Sequence, residues 1–161
     1  MTVDQEQAAI ARLSTTNSLD DIRSVMRNSR TKAPAVYRAA FERLIVVSAG
    51  EQDSALARAC WKMVHTIEQL RRESGRKVWR MNRLRPKIER EGERAAIAYC
   101  ARTRTDGFQE VLDYGLPEYT AEAIVLGYPV DFPDVELQQI ARQRLVAAGQ
   151  NPERFIGRAL I

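Results

Sequence analysis

The sequence predicts an all-α protein, an irregular multi-helix bundle of about six to eight helices. Apolar residues recur every three to four positions along most of the 161-residue chain, which is the period of an amphipathic helix. Residues typical of helix N-caps and helix ends separate these stretches, and no hairpin turn joins two alternating stretches. Because 45% of the residues are hydrophobic, the chain can bury a core, and we expect a single helical domain over 1–161.

The first third of the chain opens with a polar stretch, 1–17, that indicates either a short amphipathic helix or a loose N-terminal arm. Ser18 is typical of an N-cap, and the carboxylates after it would stabilise the positive end of a second helix. Pro34 suits the first turn of the next helix, which Gly50 should end. The apolar rows of that helix predict a broad buried face: Val36, Tyr37, Ala40, Phe41, Leu44 and Ile45.

The clearest helix is expected over about 53–73, just before Ser74 and Gly75. Its apolar residues are spaced four and three apart, which is typical of the seam of a helix bundle. These residues are Leu56, Cys60, Met63, Ile67 and Leu70. A homodimer seam is the alternative, although the repeat spans barely two heptads.

Positive charge is concentrated in the segment 71–90, which we call the basic segment. It contains nine arginines and lysines against two acids, Glu73 and Glu89, and so carries +7. The whole chain carries +4, so the remainder is net −3. Guanidinium groups bind phosphates in a bidentate manner and stack on bases, so the pattern is typical of a surface that binds a polyanion.

Two residues of the basic segment could contact bases directly. Trp79 could stack on a base, and Asn82 could bind the edge of an adenine. The expected nucleic-acid contacts are Arg76, Lys77, Trp79, Arg80, Asn82, Arg83, Arg85, Lys87 and Arg90. Arg102 and Arg104 are additional cations nearby in sequence. The opposing interpretation is a solvated loop that packs Trp79 into the core and pairs its arginines with acids elsewhere.

A helix is expected over about 86–102, begun by its proline, with Gly92 as a place where it could bend. Its apolar positions are Ile88, Ala95, Ile97, Tyr99 and Cys100. A short helix over 108–114 should follow. That helix carries Glu110 and Asp113 and no basic residue, so we do not expect it to enter a DNA groove as a recognition helix.

Three further helices complete the prediction. Thr120 is typical of the N-cap of a short helix, and a longer helix is expected over about 133–148. The polar face of the longer helix carries two arginines that we expect to be solvated, Arg142 and Arg144. Asn151 and the proline after it predict a last helix that would reach Leu160.

The sequence offers little that an enzyme would need. It has no glycine-rich phosphate loop, no dinucleotide fingerprint and no nucleophile elbow. Three acids could serve a metal-dependent nuclease, but they also suit the start of a helix: Asp131, Asp134 and Glu136. Cys60 and Cys100 are expected to be buried thiols, with a disulfide as the alternative, and His65 to pack beside Trp61. We therefore expect no catalytic residue, no metal and no cofactor.

These observations predict a non-enzymatic nucleic-acid-binding or regulatory protein, with DNA expected before RNA. The alternative is a helical adaptor or regulator that docks an acidic protein partner through the same segment. A metal-dependent nuclease is a further alternative. No apolar run approaches the length of a membrane span, and the chain does not begin like a secretory signal, so we expect a cytoplasmic protein.

Overall fold

A computed structural model describes residues 1–103 and 105–157, and within them it shows nine α-helices, two short 3-10 helices and no β-strand. The predicted all-α class is confirmed. The helix count is one above the expected range, and Gly92 divides a helix that was predicted as continuous. The chain divides into two compact units, Met1–Gly50 and Glu51–Ile161. A single domain over 1–161 stays a prediction.

The first unit contains three helices: α1 (Val3–Leu13), α2 (Leu19–Ser29) and α3 (Pro34–Ala49). At the start of α1 the Thr2 hydroxyl accepts a hydrogen bond from the Gln5 N–H, and the Gln5 side chain accepts one from the Thr2 N–H. This capping box shows that the N-terminal stretch is a helix and not a loose arm. α3 packs against both other helices, and its predicted inner face is buried except for the half-buried Tyr37.

The second unit contains the other six helices: α4 (Ala55–Glu73), α5 (Leu84–Glu91), α6 (Glu93–Arg102), α7 (Asp106–Tyr114), α8 (Ala121–Gly127) and α9 (Val135–Ala147). α4 packs against α6, α7 and α8, and α9 packs against α6 and α8. The predicted stripe of α4 is buried, with only Leu70 half-buried. The bundle-seam interpretation is therefore confirmed, and this face is not available for a homodimer. Of the helices described, none combines the length and apolar character needed to cross a membrane.

Two helices, α5 and α6, replace the single helix predicted over 86–102. α5 begins at Leu84, so Pro86 lies in its first turn. The N–H groups of the first turn have no acceptor within the helix, so a proline, which lacks an N–H, is tolerated there. Gly92 then ends α5 with a φ of 89°, a conformation that side-chain-bearing residues rarely adopt. α5 and α6 pack against each other across this break.

The start of α7 packs closely against α4. α7 begins at Asp106. A Cβ atom added to Gly107 would lie only 2.8 Å from the Ile67 Cδ1 atom, so the Ile67 side chain would have to shift to admit a larger residue. The start of α7 is thereby held close to the middle of α4.

Arg144 was predicted to be solvated, and that prediction is wrong. Its guanidinium donates hydrogen bonds of 3.1 Å to the carbonyl oxygens of Arg102 and Thr103, where α6 ends. It donates another of 3.1 Å to the carboxylate of Glu122, a side chain that is only 1% exposed. The last carbonyls of a helix have no partner within the helix, and Arg144 supplies one from α9. Arg142 is exposed, as expected, and pairs with Glu153.

The remaining capping predictions have mixed outcomes. Thr120 caps α8 as expected, because its hydroxyl accepts a hydrogen bond from the Ala123 N–H. Asn151 caps only a 3-10 turn over Pro152–Arg154, so the predicted last helix is not observed there. Its expected end at Leu160 lies outside the described residues.

Candidate nucleic-acid interface

The loop 76–83 lies in the connection between α4 and α5, and Glu68 of α4 binds it. The buried Glu68 carboxylate accepts hydrogen bonds from the Met81 N–H at 2.9 Å and from Arg85 at 2.6 and 2.7 Å. Burial alone would raise the pKa of Glu68, but these hydrogen bonds and the charge of Arg85 outweigh it and hold that pKa below its usual 4.5. Glu68 is therefore ionised at neutral pH and fixes the end of the loop to α4.

Trp79 lies against a cation of α4. The guanidinium carbon of Arg72 is 3.9 Å from the centroid of the Trp79 ring, which is a close cation–π contact. The Trp79 side chain is half-buried. The residue predicted to stack on a base thus already stacks with an arginine of its own chain.

A groove of about 720 Å³ lies between this loop, α5, the end of α6 and the start of α7. Five cations line it: Arg71, Arg80, Arg83, Lys87 and Arg90. Polar and aromatic groups line it as well: Asn82, Tyr99, Thr103 and Thr105. Asp106 is the one acid among the described residues of its lining. We call this feature the basic groove.

Ion pairing neutralises only part of the basic segment. Four of its nine cations have a carboxylate within 4.0 Å: Arg71 and Arg76 share Glu110, Arg85 pairs with Glu68, and Lys87 pairs with Glu91. In the part of the chain that the structure describes, no carboxylate lies that close to Arg80, Arg83 or Arg90. Three groove arginines are therefore without a salt-bridge partner among the described residues.

The structure brings together about half of the residues predicted as contacts. Those that line the basic groove are Arg80, Asn82, Arg83, Lys87 and Arg90. Those outside its lining are Arg76, Lys77, Trp79 and Arg85. Arg85 lies 5.3 Å from the centroid of the Trp61 ring and pairs with Glu68, so it holds the loop in place. Arg102 pairs with Asp134 at 2.7 Å, and Arg104 lies outside the described residues.

Tyr99 is the groove residue that the sequence prediction missed most clearly. It was expected on the buried face of a continuous helix, but its side chain is 47% exposed. The Lys87 Nζ atom lies 4.7 Å from the centroid of its ring. Within α6, Ile97 and Cys100 lie three positions apart and are buried, whereas Tyr99, two positions after Ile97, lies on another side of the helix and lines the groove.

Of the acids considered for a nuclease, Asp134 has a structural role at the start of α9. The Asp134 carboxylate accepts hydrogen bonds from the N–H groups of Glu136 and Leu137, as an N-cap does. Among the residues described, no group of three or more His, Cys, Asp or Glu side chains is placed to hold a metal ion.

Cys60 and Cys100 are buried free thiols, as predicted. Burial, with the nearby Glu122 charge, raises the pKa of Cys100 to about 12, and burial also raises that of Cys60. Neither is a thiolate at neutral pH, so neither is a ready nucleophile. The ring of His65 lies 6.1 Å from that of Trp61, and burial lowers the pKa of His65, so the side chain is neutral at pH 7.

The basic groove therefore offers guanidinium groups for anions, an amide for hydrogen bonding and an exposed aromatic ring within one concavity. Guanidinium groups suit phosphate oxygens, while amides and aromatic rings suit the edges and faces of bases. No protein-family model, curated protein or solved structure shows significant similarity to this chain.

Proposed function

We propose that this chain is a non-enzymatic nucleic-acid-binding protein that holds the phosphate backbone in the basic groove, with DNA ahead of RNA as its ligand. One observation carries the proposal. Arg80, Arg83 and Arg90 line a single concavity, and no carboxylate of the described residues lies within 4.0 Å of them. Clustered cations without local compensation attract polyanions and exchange bound counterions for phosphates.

An acidic protein surface is the alternative ligand for the same arginines. It would pair its carboxylates with those arginines, whereas nucleic acid would also engage Asn82 through base edges and the ring of Tyr99 through base faces. Nucleic acid employs all three kinds of group in the groove, which is why we favour it. Purification separates the two alternatives, since bound nucleic acid raises the absorbance at 260 nm and a protein partner adds a second band.

We place the protein in the cytoplasm. The support is the two buried cysteines, both of which are free thiols, as is usual for proteins in a reducing compartment.

The proposal is tested by fluorescence anisotropy with labelled duplex DNA, single-stranded DNA and RNA over a range of salt concentrations. We expect saturable binding that weakens with salt. Replacing Arg80, Arg83 and Arg90 together with alanine should lower the affinity for every probe that the wild type binds by about tenfold or more at low salt. The slope of log K against log salt should also fall by about two to three, since roughly one unit is lost per phosphate contact.

A matched control separates the groove from overall charge. The triple variant Arg58→Ala, Arg94→Ala and Arg142→Ala also removes three positive charges, but from exposed positions outside the groove lining. At about 0.15 M salt, where the Debye length is about 8 Å, it should keep the affinity within about threefold of the wild type, because exposed charges that make no phosphate contact are screened. Equal losses in both triple variants, or no binding by the wild type at low salt, would contradict the proposal.

A further inference from the structure

We infer that the basic groove takes single-stranded nucleic acid, with a base stacked on Tyr99 and the neighbouring phosphates held by Arg80, Arg83 and Arg90. This inference rests on the proposed function and specifies the ligand of the same site. DNA and RNA strands share the chemistry in question, which is an unpaired base next to a phosphodiester.

The volume of the groove is the first argument. At about 720 Å³ it falls in the range of pockets that enclose small ligands, about 300–1,000 Å³. One or two nucleotides can enter such a concavity with their bases. A double helix is too wide to enter and could only lay its phosphates across the rim, so most of the lining would remain unused.

The chemistry of the lining is the second argument. Tyr99 is 47% exposed and Val78 is 67% exposed, and both line the groove beside the cations. In a duplex the faces of the bases are covered by their neighbours, so an aromatic ring on a protein cannot reach them. In a single strand these faces are open and stack on aromatic side chains whatever the base.

The origin of the lining residues is the third argument. Tyr99 comes from α6, whereas Arg80 and Arg83 come from the loop 76–83 and Arg90 from α5. Base-stacking and phosphate-binding groups thus reach the groove from different elements. A strand that passes between them can turn its bases toward α6 and its backbone toward the loop, which is the arrangement of grooves that bind single strands.

The test compares two variants, Tyr99→Leu and Tyr99→Phe, on four probes of equal length. The probes are a DNA strand, an RNA strand, a DNA strand made of abasic sites and a DNA duplex. We expect the wild type to bind at least one base-bearing strand about tenfold more tightly than the duplex. Tyr99→Leu should lower the affinity for that strand about tenfold, whereas Tyr99→Phe should keep it near the wild-type value. The affinity for the abasic strand should not change in either variant.

Three results would overturn the inference: a duplex bound as tightly as the strands, no effect of Tyr99→Leu, or an equal effect of Tyr99→Leu on the abasic probe. If every probe, the base-bearing strands included, binds and responds only to the arginine triple variant, the proposed function stands and the single-strand inference fails. If no probe binds at low salt, both fail. The DNA and RNA arms show which strand is preferred, and a melting curve confirms that each variant is folded.

Discussion

The Arg144→Ala variant is expected to unfold with a free energy about 3–5 kcal/mol lower than that of the wild type, because it leaves the buried Glu122 carboxylate without its cation. It also removes the donor that satisfies the carbonyl groups of Arg102 and Thr103 at the end of α6. Burial raises the pKa of Glu122, while its backbone hydrogen bond and Arg144 oppose that rise. Denaturant unfolding followed by circular dichroism measures the change.

The position two residues earlier supplies the control. Arg142→Ala removes an arginine from the same helix, but its partner Glu153 is exposed, so the cost should stay below about 1 kcal/mol. A second variant, Glu122→Gln combined with Arg144→Ala, should recover part of the loss because it no longer buries an unpaired charge. Similar stabilities for Arg142→Ala and Arg144→Ala would show that the Arg144 contacts are not structural.

The Glu68→Ala variant is expected to lose about 2–4 kcal/mol of unfolding free energy, since it leaves the Met81 N–H and the Arg85 guanidinium without their acceptor. The folded-state pKa of Glu68 is depressed, so its contribution is present above the unfolded value of about 4.5 and disappears as the pH falls through the folded value. The difference between wild type and variant should therefore shrink below pH 4.5. Unfolding curves at several pH values test this.

Binding by Glu68→Ala shows whether Glu68 acts on the basic groove by positioning the loop or only through its negative charge. Glu68→Ala and Glu91→Ala each remove one negative charge beside the basic groove, and overall electrostatics predicts that both bind polyanions more tightly. Because Glu68 anchors Met81 and Arg85, its loss should instead weaken binding by the folded protein. Glu91 is itself exposed and pairs with Lys87 four positions earlier in α5, so its replacement should leave stability nearly unchanged and affinity equal or higher. Tighter binding by Glu68→Ala would show that the loop needs no anchor.

The sequence predicts those parts of the fold that depend on local contacts. The caps Ser18 and Thr120 each accept a hydrogen bond from a residue three positions away, so a short window of sequence contains all the information required. The stripe of α4 repeats within one helix and is visible for the same reason. Gly92 was recognised as a weak position, but a bend and a complete break have the same local pattern.

The interface could be predicted only in part because its geometry depends on distant pairs. Glu68 pairs with Arg85 over 17 residues, and Arg71 with Glu110 over 39. Composition cannot show which arginines of a cluster these acids neutralise, so Arg85 and Arg80 look equivalent in the sequence. Tyr99 was missed because apolar character alone does not show which side of α6 is buried: Ile97 and Tyr99 lie about 200° apart around the helix, so only one of them can face the core. An aromatic residue on the side away from Ile97, near basic residues, is the signal that could have identified it.

Photo-cross-linking of the full chain to a single-stranded DNA oligonucleotide, followed by mass spectrometry, tests the binding role of the basic groove most directly. We expect cross-links on the peptides that carry residues 78–90 and Tyr99, and we expect them to disappear in the variant that lacks Arg80, Arg83 and Arg90. Cross-links confined to other surfaces, such as α1–α3, or cross-links that persist in that variant would show that nucleic acid does not bind in the groove.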